Sequence, residues 1–435
     1  MSKVRGGVLS EPVGTPWEGR YQPSDVTALY LHVPFCSSKC AYCDFASWAT
    51  RAGDAVMGRY VSSLSGQLGE VASLGLLDGV RTAYVGGGTP SLLGPALLGR
   101  LVSRVRELCP KLVELSCEAN PESLNGELLW ALVQSGATRV SVGVQSLDDA
   151  ELAALGRAHT ADTALGCLEA AVASGLDVSC DLMCAIPLQT KGSWLRSLEG
   201  VLSLGMGHVS AYPLSIEEGT ALARRVGDVV PAWNDGDVQA ARMREAQELL
   251  GGRGLTRYEV ASYARPGKSC RHNLCYWTGR AYLGLGTGAS SMLTPAGYGR
   301  LRRACPQLPP APGDSRRIRL RVRSGRGEVC EGHGVCALSF DLEFLTLRQA
   351  VAEDLMLGAR LTSGVPPELL ALAREVMGPC AVDDCVREVT SSGLARSDAT
   401  GALVPTEHGW LLGNELYGAL WGLSEGDVLV AGCPA

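Results

Sequence analysis

The chain has 435 residues, of which 46% are hydrophobic and 19% charged, and its formal net charge is −6 at pH 7. This composition is that of a globular protein with room for one large domain and a smaller one. The negative balance gives no general affinity for nucleic acid, and no run of about 18 apolar residues predicts a transmembrane segment. Residues 1–25 form a predicted N-terminal extension without the apolar core of a signal peptide, so we expect a cytoplasmic protein.

Residues 26–215 have the pattern of alternating strands and helices. Six short apolar runs rich in β-branched residues predict strands, and longer amphipathic stretches between them predict helices. The predicted strands are 28–35, 81–85, 112–118, 139–145, 177–184 and 208–214. Six such units favour an α/β fold with a parallel sheet, and six are fewer than the eight of a closed barrel. We therefore predict a partial (β/α)6 barrel that remains open.

Three cysteines lie within eight residues, directly after the first predicted strand. Cys36, Cys40 and Cys43 have the spacing C-x3-C-x2-C. Three thiolates on one loop can hold three irons of a [4Fe–4S] cluster and leave the fourth iron open to a small molecule. A zinc site needs four ligands, usually as two spaced pairs, and the sequence has no second pair. Ordinary buried cysteines are the other alternative.

Further polar motifs fall at the ends of the other predicted strands. The glycine-rich segment 86–90 follows the second strand, Glu118 ends the third, Gln145 ends the fourth, and Asp181 lies late in the fifth. Active sites of (β/α) barrels lie at the carboxyl ends of the strands. The sequence therefore predicts one site along this rim.

In this order the motifs resemble those of the HemN/HemW branch of the radical S-adenosylmethionine (SAM) proteins. They are the three cysteines, GGGTPS at 86–91, EANPE at 118–122, GVQS at 143–146, LGRAH at 155–159, DLM at 181–183, PLQT at 187–190 and SAY at 210–212. The resemblance extends from Tyr30 to about Met292 and more weakly to Trp421. It implies a radical SAM barrel, in which the open iron chelates SAM and an electron from the cluster breaks the sulfonium C–S bond.

The resemblance also implies which residues hold the cofactors. Cys36, Cys40 and Cys43 would bind the cluster. SAM would be bound by Tyr30, Tyr42, Gly87, Gly88, Thr89, Glu118, Gln145, Arg157, Asp181 and Pro213. The alternatives are a plain tight turn for the glycines, core packing for the two tyrosines and a solvated helix position for Arg157.

Two features distinguish the members of this branch. Its oxygen-independent coproporphyrinogen III oxidases carry a further Cys two residues after the third, where this chain has Phe45. The sequence 272–277 resembles the HNxxYW motif of the HemW type, which implies haem as a cofactor and His272 as a candidate axial ligand. The alternative for His272 is a hydrogen-bonded packing residue.

The implied function is that of a haem chaperone, which delivers haem to client haemoproteins such as respiratory enzymes and needs a reductant for its cluster. The alternative is a radical SAM oxidoreductase of porphyrin biosynthesis, resembling the coproporphyrinogen oxidase. A methyltransferase of the same superfamily is a third option.

The sequence departs from the family at two loops. Residues 184–190 read CAIPLQT where the family has YGLPGQT, and because alanine restricts the backbone more than glycine, we expect a differently shaped loop. Residues 288–291 read GASS where the family has GAHG, so a family histidine is absent.

The rest of the chain divides into three predicted regions. Residues 216–299 extend the barrel and contain the HNxxYW motif. Residues 300–344 begin with an Arg- and Pro-rich segment, predicted to be a solvated linker, an edge strand or a flexible insert whose charges attract haem propionates or an acidic client. Residues 345–435 predict helices and a hairpin that resemble a winged helix. With five arginines, no lysine and twelve acidic residues, this domain is unsuited to DNA and is expected to be a lid over the barrel or a docking module.

Overall fold

The computed structural model describes residues 26–331 and 334–433, so the predicted extension 1–25 lies outside the described residues. Its strands are β1 (Ala28–Val33), β2 (Phe35–Cys36), β3 (Trp48–Ala49), β4 (Thr82–Gly87), β5 (Glu114–Ala119), β6 (Arg139–Gln145), β7 (Asp177–Cys184), β8 (His208–Pro213), β9 (Thr256–Arg257), β10 (Ser262–Ala264), β11 (Tyr282–Leu285), β12 (Ser290–Leu293), β13 (Ser315–Val322), β14 (Phe340–Thr346), β15 (Ala395–Ser397), β16 (Leu403–Pro405) and β17 (Leu429–Cys433).

The helices lie between these strands and in a C-terminal group. They are α1 (Ala55–Ser73), α2 (Gly94–Leu108), α3 (Gly126–Ser135), α4 (Asp149–Leu155), α5 (Ala161–Ala173), α6 (Lys191–Ser203), α7 (Ala221–Val226), α8 (Gly236–Gly252), α9 (Arg271–Trp277), α10 (Pro295–Ala304), α11 (Arg326–Glu331), α12 (Leu347–Gly358), α13 (Pro367–Met377), α14 (Pro379–Ser391), α15 (Glu407–Leu411) and α16 (Gly413–Trp421). Among the described residues, none of these helices is long and apolar enough to cross a membrane.

The centre of the fold is a parallel sheet of six strands in chain order. Strands β1, β4, β5, β6, β7 and β8 are hydrogen-bonded neighbours in that sequence, each parallel to the next. Helices connect successive strands, as parallel pairs require. The predicted six βα units and their order are therefore confirmed.

Further strands continue the sheet beyond both sides of this parallel core. On the β1 side, β11 pairs parallel to β1, and β12, β13, β14 and β17 follow in antiparallel pairing. On the β8 side, β10 and then β9 pair antiparallel. Within the described residues the sheet has thirteen strands and its two edges, β17 and β9, do not pair with each other. The barrel is open, as predicted.

The Arg-rich segment is neither an edge strand nor a flexible insert over residues 315–322. Strand β13 has β12 on one side and β14 on the other. Arg317 is buried and donates to the carboxylates of Glu353 and Asp354 on α12, the latter at 2.7 Å. Arg319 donates to Glu353 at 2.7 Å. These ion pairs explain how an arginine-rich strand is accommodated inside a sheet, since buried charges need partners.

The C-terminal helices form a module with its own hydrophobic cluster. Helices α12, α13, α14 and α16 and the β15–β16 hairpin contribute its buried side chains. These helices and the hairpin agree with the winged-helix-like prediction. Strand β17 returns to pair with β14 in the large sheet, which the sequence did not predict.

Candidate functional site

A cavity of about 420 Å³ opens at the carboxyl ends of the parallel strands. The predicted residues that line it are Cys36, Cys40, Tyr42, Cys43, Gly87, Gly88, Thr89, Glu118, Gln145, Arg157, Asp181 and Pro213. These residues come from seven separate segments of the chain. The parallel strand order brings them together, because each lies at or near the end of its strand or on the loop that follows.

The three cysteines lie on a loop that is fixed at several points. Within the loop, the Thr50 N–H donates to the Cys36 carbonyl at 2.8 Å, and the Ala41 N–H donates to the Leu155 carbonyl at 2.9 Å. The three cysteine side chains are partly exposed toward the cavity. Burial raises the pKa values of Cys36 and Cys43, and the neighbouring thiols raise them further. A positive group beside these two thiols would favour their thiolate forms.

Among the described residues, no three Cys, His, Asp or Glu side chains are grouped so as to hold a single metal ion. A [4Fe–4S] cluster does not require that, since each thiolate binds its own iron. The donor set, three thiols facing one cavity from one loop, fits such a cluster.

The glycine-rich end of β4 packs directly against the cysteine loop. A Cβ on Gly88 would lie 2.8 Å from the Phe35 carbonyl oxygen and 3.0 Å from the Cys36 Sγ atom. Gly87 has a φ of +119°, and a Cβ there would lie 2.6 Å from the His32 ring. The two glycines are therefore required for close packing, and a plain turn does not account for them.

Two half-buried carboxylates, Glu118 and Asp181, line the cavity at the strand ends. Glu118 accepts from the Gly87 N–H at 2.9 Å, and burial together with the charge of Asp181 raises its pKa to about 7. Asp181 accepts from the Ser141 hydroxyl at 3.2 Å, and burial raises its pKa. Register explains the second contact, because Ser141 lies on β6, the neighbour of β7.

Arg157 is half-buried among polar groups of the cavity and is not a solvated helix residue. Its Nη2 atom donates to the Asn120 Oδ1 atom at 2.9 Å and to the Gly143 carbonyl at 2.6 Å. Its Nη1 atom lies 3.6 Å from the Cys40 Sγ atom. Asn120 was not singled out from the sequence, although it lies within the EANPE motif.

Gln145 occupies an irregular end of β6. Its φ is +69°, and the register between β6 and β7 shifts between Gly143 and Gln145, as at a β-bulge. The Gln145 Oε1 atom accepts from the Tyr212 hydroxyl at 3.2 Å. Tyr212 is a cavity residue that the sequence analysis quoted only within a motif, and Pro213 follows it at the end of β8.

The two predicted tyrosines have different positions. Tyr42 lies in the cysteine loop and lines the cavity. Tyr30 is not among the lining residues; its hydroxyl lies 3.0 Å from the His32 Nδ1 atom, and its ring stacks on Tyr84. For Tyr30 the geometry agrees with the core-packing alternative.

His272 lies at the opposite end of the barrel, next to the amino ends of β4 and β5. Its Nδ1 atom is 3.1 Å from the Thr82 Oγ1 atom, and its Nε2 atom is 2.9 Å from the Tyr276 hydroxyl. The side chain is buried, and burial lowers its pKa to about 3. Both ring nitrogens are therefore engaged, which is the geometry of the packing alternative rather than of an open haem ligand.

The loop with the altered family sequence keeps a backbone that suits glycine. Ala185 has a φ of +52° and Leu188 a φ of +68°, at the two positions where the family pattern has Gly. Gln189 fixes the loop by accepting from the Ala185 N–H at 2.8 Å and donating to the Met183 carbonyl at 3.1 Å. The expected change of shape is therefore not seen at these two residues, which instead adopt a conformation that L side chains disfavour.

The C-terminal module does not cover the cavity. The described lining residues end at Glu217, and none belongs to residues 345–433. The module instead contacts the β9–β10 region, where the Trp410 Nε1 atom donates to the Val260 carbonyl at 2.8 Å. It also contacts α9, where Arg360 lies over the Trp277 ring. The expectation of a lid is wrong for this conformation, because the module packs beside β9–β10 and against α9 at the far end of the barrel.

Comparison with known proteins agrees with the fold. A family model described as the radical SAM superfamily matches residues 30–200. The solved structure of coproporphyrinogen III oxidase (HemN) from Escherichia coli superposes with a TM-score of 0.71 and 20% identity, covering 93% of this chain and 91% of that one. The fold and site thus define a protein of the radical SAM class.

The sequence relatives identify the family within that class. The heme chaperone HemW of Mycobacterium tuberculosis (strain ATCC 25618 / H37Rv) is 35% identical over 367 residues, which cover 83% of this chain and 88% of that protein. The heme chaperone HemW of Lactococcus lactis is 29% identical over 391 residues, covering 89% and 95%. The mitochondrial radical S-adenosyl methionine domain-containing protein 1 of Bos taurus is 39% identical over 282 residues, 63% of each chain. The chain belongs to the HemW family of radical SAM proteins.

Proposed function

We propose that this protein is a cytoplasmic haem chaperone that binds haem, a [4Fe–4S] cluster and SAM and passes haem to client haemoproteins. The observation that carries the proposal is the 35% identity to a protein named heme chaperone HemW over 83% of the chain. Phe45 supports it further, since the oxidases of the branch have a Cys at this position.

The cluster would be held by Cys36, Cys40 and Cys43. When bound, it would supply an open iron for the amino and carboxylate groups of SAM and an electron from an external reductant. The protein's own part is to keep three thiols on one fixed loop and to enclose the ligand in the cavity at the strand ends.

The cavity offers complementary groups for SAM. The N–H groups of Gly87, Gly88 and Thr89 donate to Glu118, Val33 and Phe35. The backbone groups that suit an incoming ammonium are therefore the carbonyl oxygens of this edge. The carboxylates of Glu118 and Asp181 suit the ammonium and ribose hydroxyls, and Arg157 suits a carboxylate. Gln145 and Tyr42 complete the proposed set, with a backbone contact at Pro213.

Haem ligation by His272 requires a local change. Imidazole is a common ligand of haem iron, but the Nε2 atom would have to exchange the Tyr276 hydroxyl for iron, and the side chain would have to become accessible. The helix α9 has seven residues and is held between the barrel and the C-terminal module. Its opening would free the Nε2 atom from the Tyr276 hydroxyl and expose the His272 side chain.

An anaerobic hemin titration of the cluster-loaded protein tests the proposal. We expect a saturable Soret change at about one haem per chain, weakened at least tenfold by His272→Ala. The matched control is His208→Ala, which removes another buried histidine paired with a tyrosine hydroxyl, at 2.9 Å.

Absence of specific hemin uptake by the wild-type protein would contradict the chaperone proposal. Uptake that is weakened equally by both substitutions would place the ligand elsewhere and leave His272 as a packing residue. The competing function is an oxidoreductase of porphyrin biosynthesis, which the same preparation would reveal by formation of 5′-deoxyadenosine coupled to loss of coproporphyrinogen.

A further inference from the structure

We propose that Asn120 is a positioning residue that directs two hydrogen-bond donors onto two of the cysteine sulfurs and thereby sets the reduction potential of the cluster. The inference rests on the cluster of the proposed function. It concerns a residue just beyond the end of β5 that has no thiol contact of its own and acts through Thr89 and Arg157.

The Asn120 amide has a partner on each side. Its Nδ2 atom donates to the Thr89 Oγ1 atom at 3.1 Å and to the Glu122 Oε1 atom at 3.2 Å. Its Oδ1 atom accepts from the Arg157 Nη2 atom at 2.9 Å. Because a guanidinium only donates and a carboxylate only accepts, the amide has one orientation that satisfies all three neighbours.

This orientation determines where the Thr89 hydroxyl proton goes. The Oγ1 atom already accepts from Asn120, so its own hydrogen is free to be donated, and the Cys36 Sγ atom lies 3.5 Å away. Thr89 is almost fully buried, which excludes bulk water as the usual competitor for that hydrogen.

The same amide fixes the direction of Arg157. The guanidinium is held at Nη2 by Asn120 and by the Gly143 carbonyl, and its Nη1 atom then lies 3.6 Å from the Cys40 Sγ atom. Asn120 thus connects the donors to Cys36 and Cys40, while Cys43 receives its hydrogen bond from the Phe45 backbone.

Hydrogen bonds to cluster sulfurs stabilise the more negative, reduced state and so raise the reduction potential. Loss of the Asn120 amide would remove the constraint that it places on both donors, leaving Arg157 held at Nη2 by the Gly143 carbonyl alone. We therefore expect the Asn120→Ala cluster to be reduced less readily, with the equilibrium constant for one-electron reduction falling about tenfold, a change of ~59 mV.

The test is a potentiometric titration of the reconstituted, SAM-free protein with dithionite, followed by EPR of the reduced cluster. Asn125→Ala is the matched control, because Asn125 caps α3 through the Leu128 N–H and does not line the cavity. Its midpoint potential is expected to equal that of the wild type. Thr89→Val removes one donor while keeping the side-chain shape, and it should shift the potential in the same direction as Asn120→Ala.

The double variant separates positioning from a general disturbance. If Asn120 acts through Thr89, Thr89→Val changes the potential less in the Asn120→Ala protein than in the wild type. The inference would be overturned if Asn120→Ala and Thr89→Val had the same midpoint potential as Asn125→Ala. If Asn120→Ala binds no cluster, the midpoint potential of Thr89→Val alone decides. A wild-type protein that binds no [4Fe–4S] cluster would contradict the proposed function itself.

Discussion

At the scale of single residues, the cavity combines carboxylates that are costly to bury with a residue in a disfavoured backbone conformation. Glu118 and Asp181 are carboxylates with raised pKa values in one cavity. Gln145, which also lines the cavity, has a φ of +69°, a conformation that costs a non-glycine residue roughly 1–2 kcal/mol. Strained backbone and perturbed pKa values cluster at functional sites, where they serve ligand binding rather than the stability of the free protein.

Glu118 should give the SAM-free protein a distinctive pH dependence. An unfolded glutamate titrates near pH ~4.3, whereas the folded pKa is about 7. The folded state therefore retains a proton that the unfolded state has lost, and stability falls as pH rises between these values. In Glu118→Gln this loss disappears, so the substitution should gain about 2–3 kcal/mol relative to wild type between pH 4.5 and 7.5.

Urea unfolding at a series of pH values measures this difference. Glu107→Gln, a substitution on the exposed part of α2, is the control. A constant difference between Glu118→Gln and wild type across that pH range would show that folding does not raise the pKa of Glu118.

At the scale of elements, the sequence predicted the strands and helices that a short run of neighbouring residues identifies. All six core strands and their order followed from apolar periodicity and the strand–helix rhythm. Strand β17 was not predicted, and β13 was considered only as an edge strand, in both cases for a physical reason. The Arg317 side chain is acceptable inside the sheet only because α12, far along the chain, supplies Glu353 and Asp354. Strand β17 is recognisable only by its partner β14, since Leu429 and Val430 remain exposed.

The ion pairs of Arg317 should contribute far more to the free energy of unfolding than the exposed arginines of β13. Arg317→Met removes the cation between two buried carboxylates, and we expect a loss of about 3–5 kcal/mol in the free energy of unfolding. Arg321→Met, on an exposed position of the same strand, should change it by no more than about 0.5 kcal/mol. Chemical denaturation of the two variants compares them, and equal effects would show that β13 is held by backbone pairing alone.

At the scale of the whole molecule, the two ends of the barrel carry different groups. The cavity occupies the carboxyl ends of the strands, and the HNxxYW helix lies at the amino ends, where Arg360 of the C-terminal module lies over Trp277. Trp410 joins the module to the barrel by its hydrogen bond to Val260 and by stacking under Arg257, 3.9 Å from the ring centroid.

Trp410→Ala should therefore lower stability without affecting the cavity. Because Trp410 is buried, we expect a loss of about 3–5 kcal/mol and an unchanged dissociation constant for SAM in the cluster-loaded protein. Calorimetry measures both quantities, with the exposed Trp130→Ala as control. A SAM affinity that falls with Trp410→Ala alone would restore the idea that the module closes over the site.

The open six-stranded barrel and the cysteine loop were predictable from the sequence, because strand periodicity and short motifs are encoded in neighbouring positions, and the family resemblance implied most of the cavity residues. The positions of His272, Asn120 and the C-terminal module depend on tertiary contacts. His272 is buried by Thr82 and Tyr276 rather than presented to a ligand, and Asn120 gains its importance from Thr89 and Arg157. These contacts join strands and helices that are distant along the chain, so they depend on packing in three dimensions that no local pattern records.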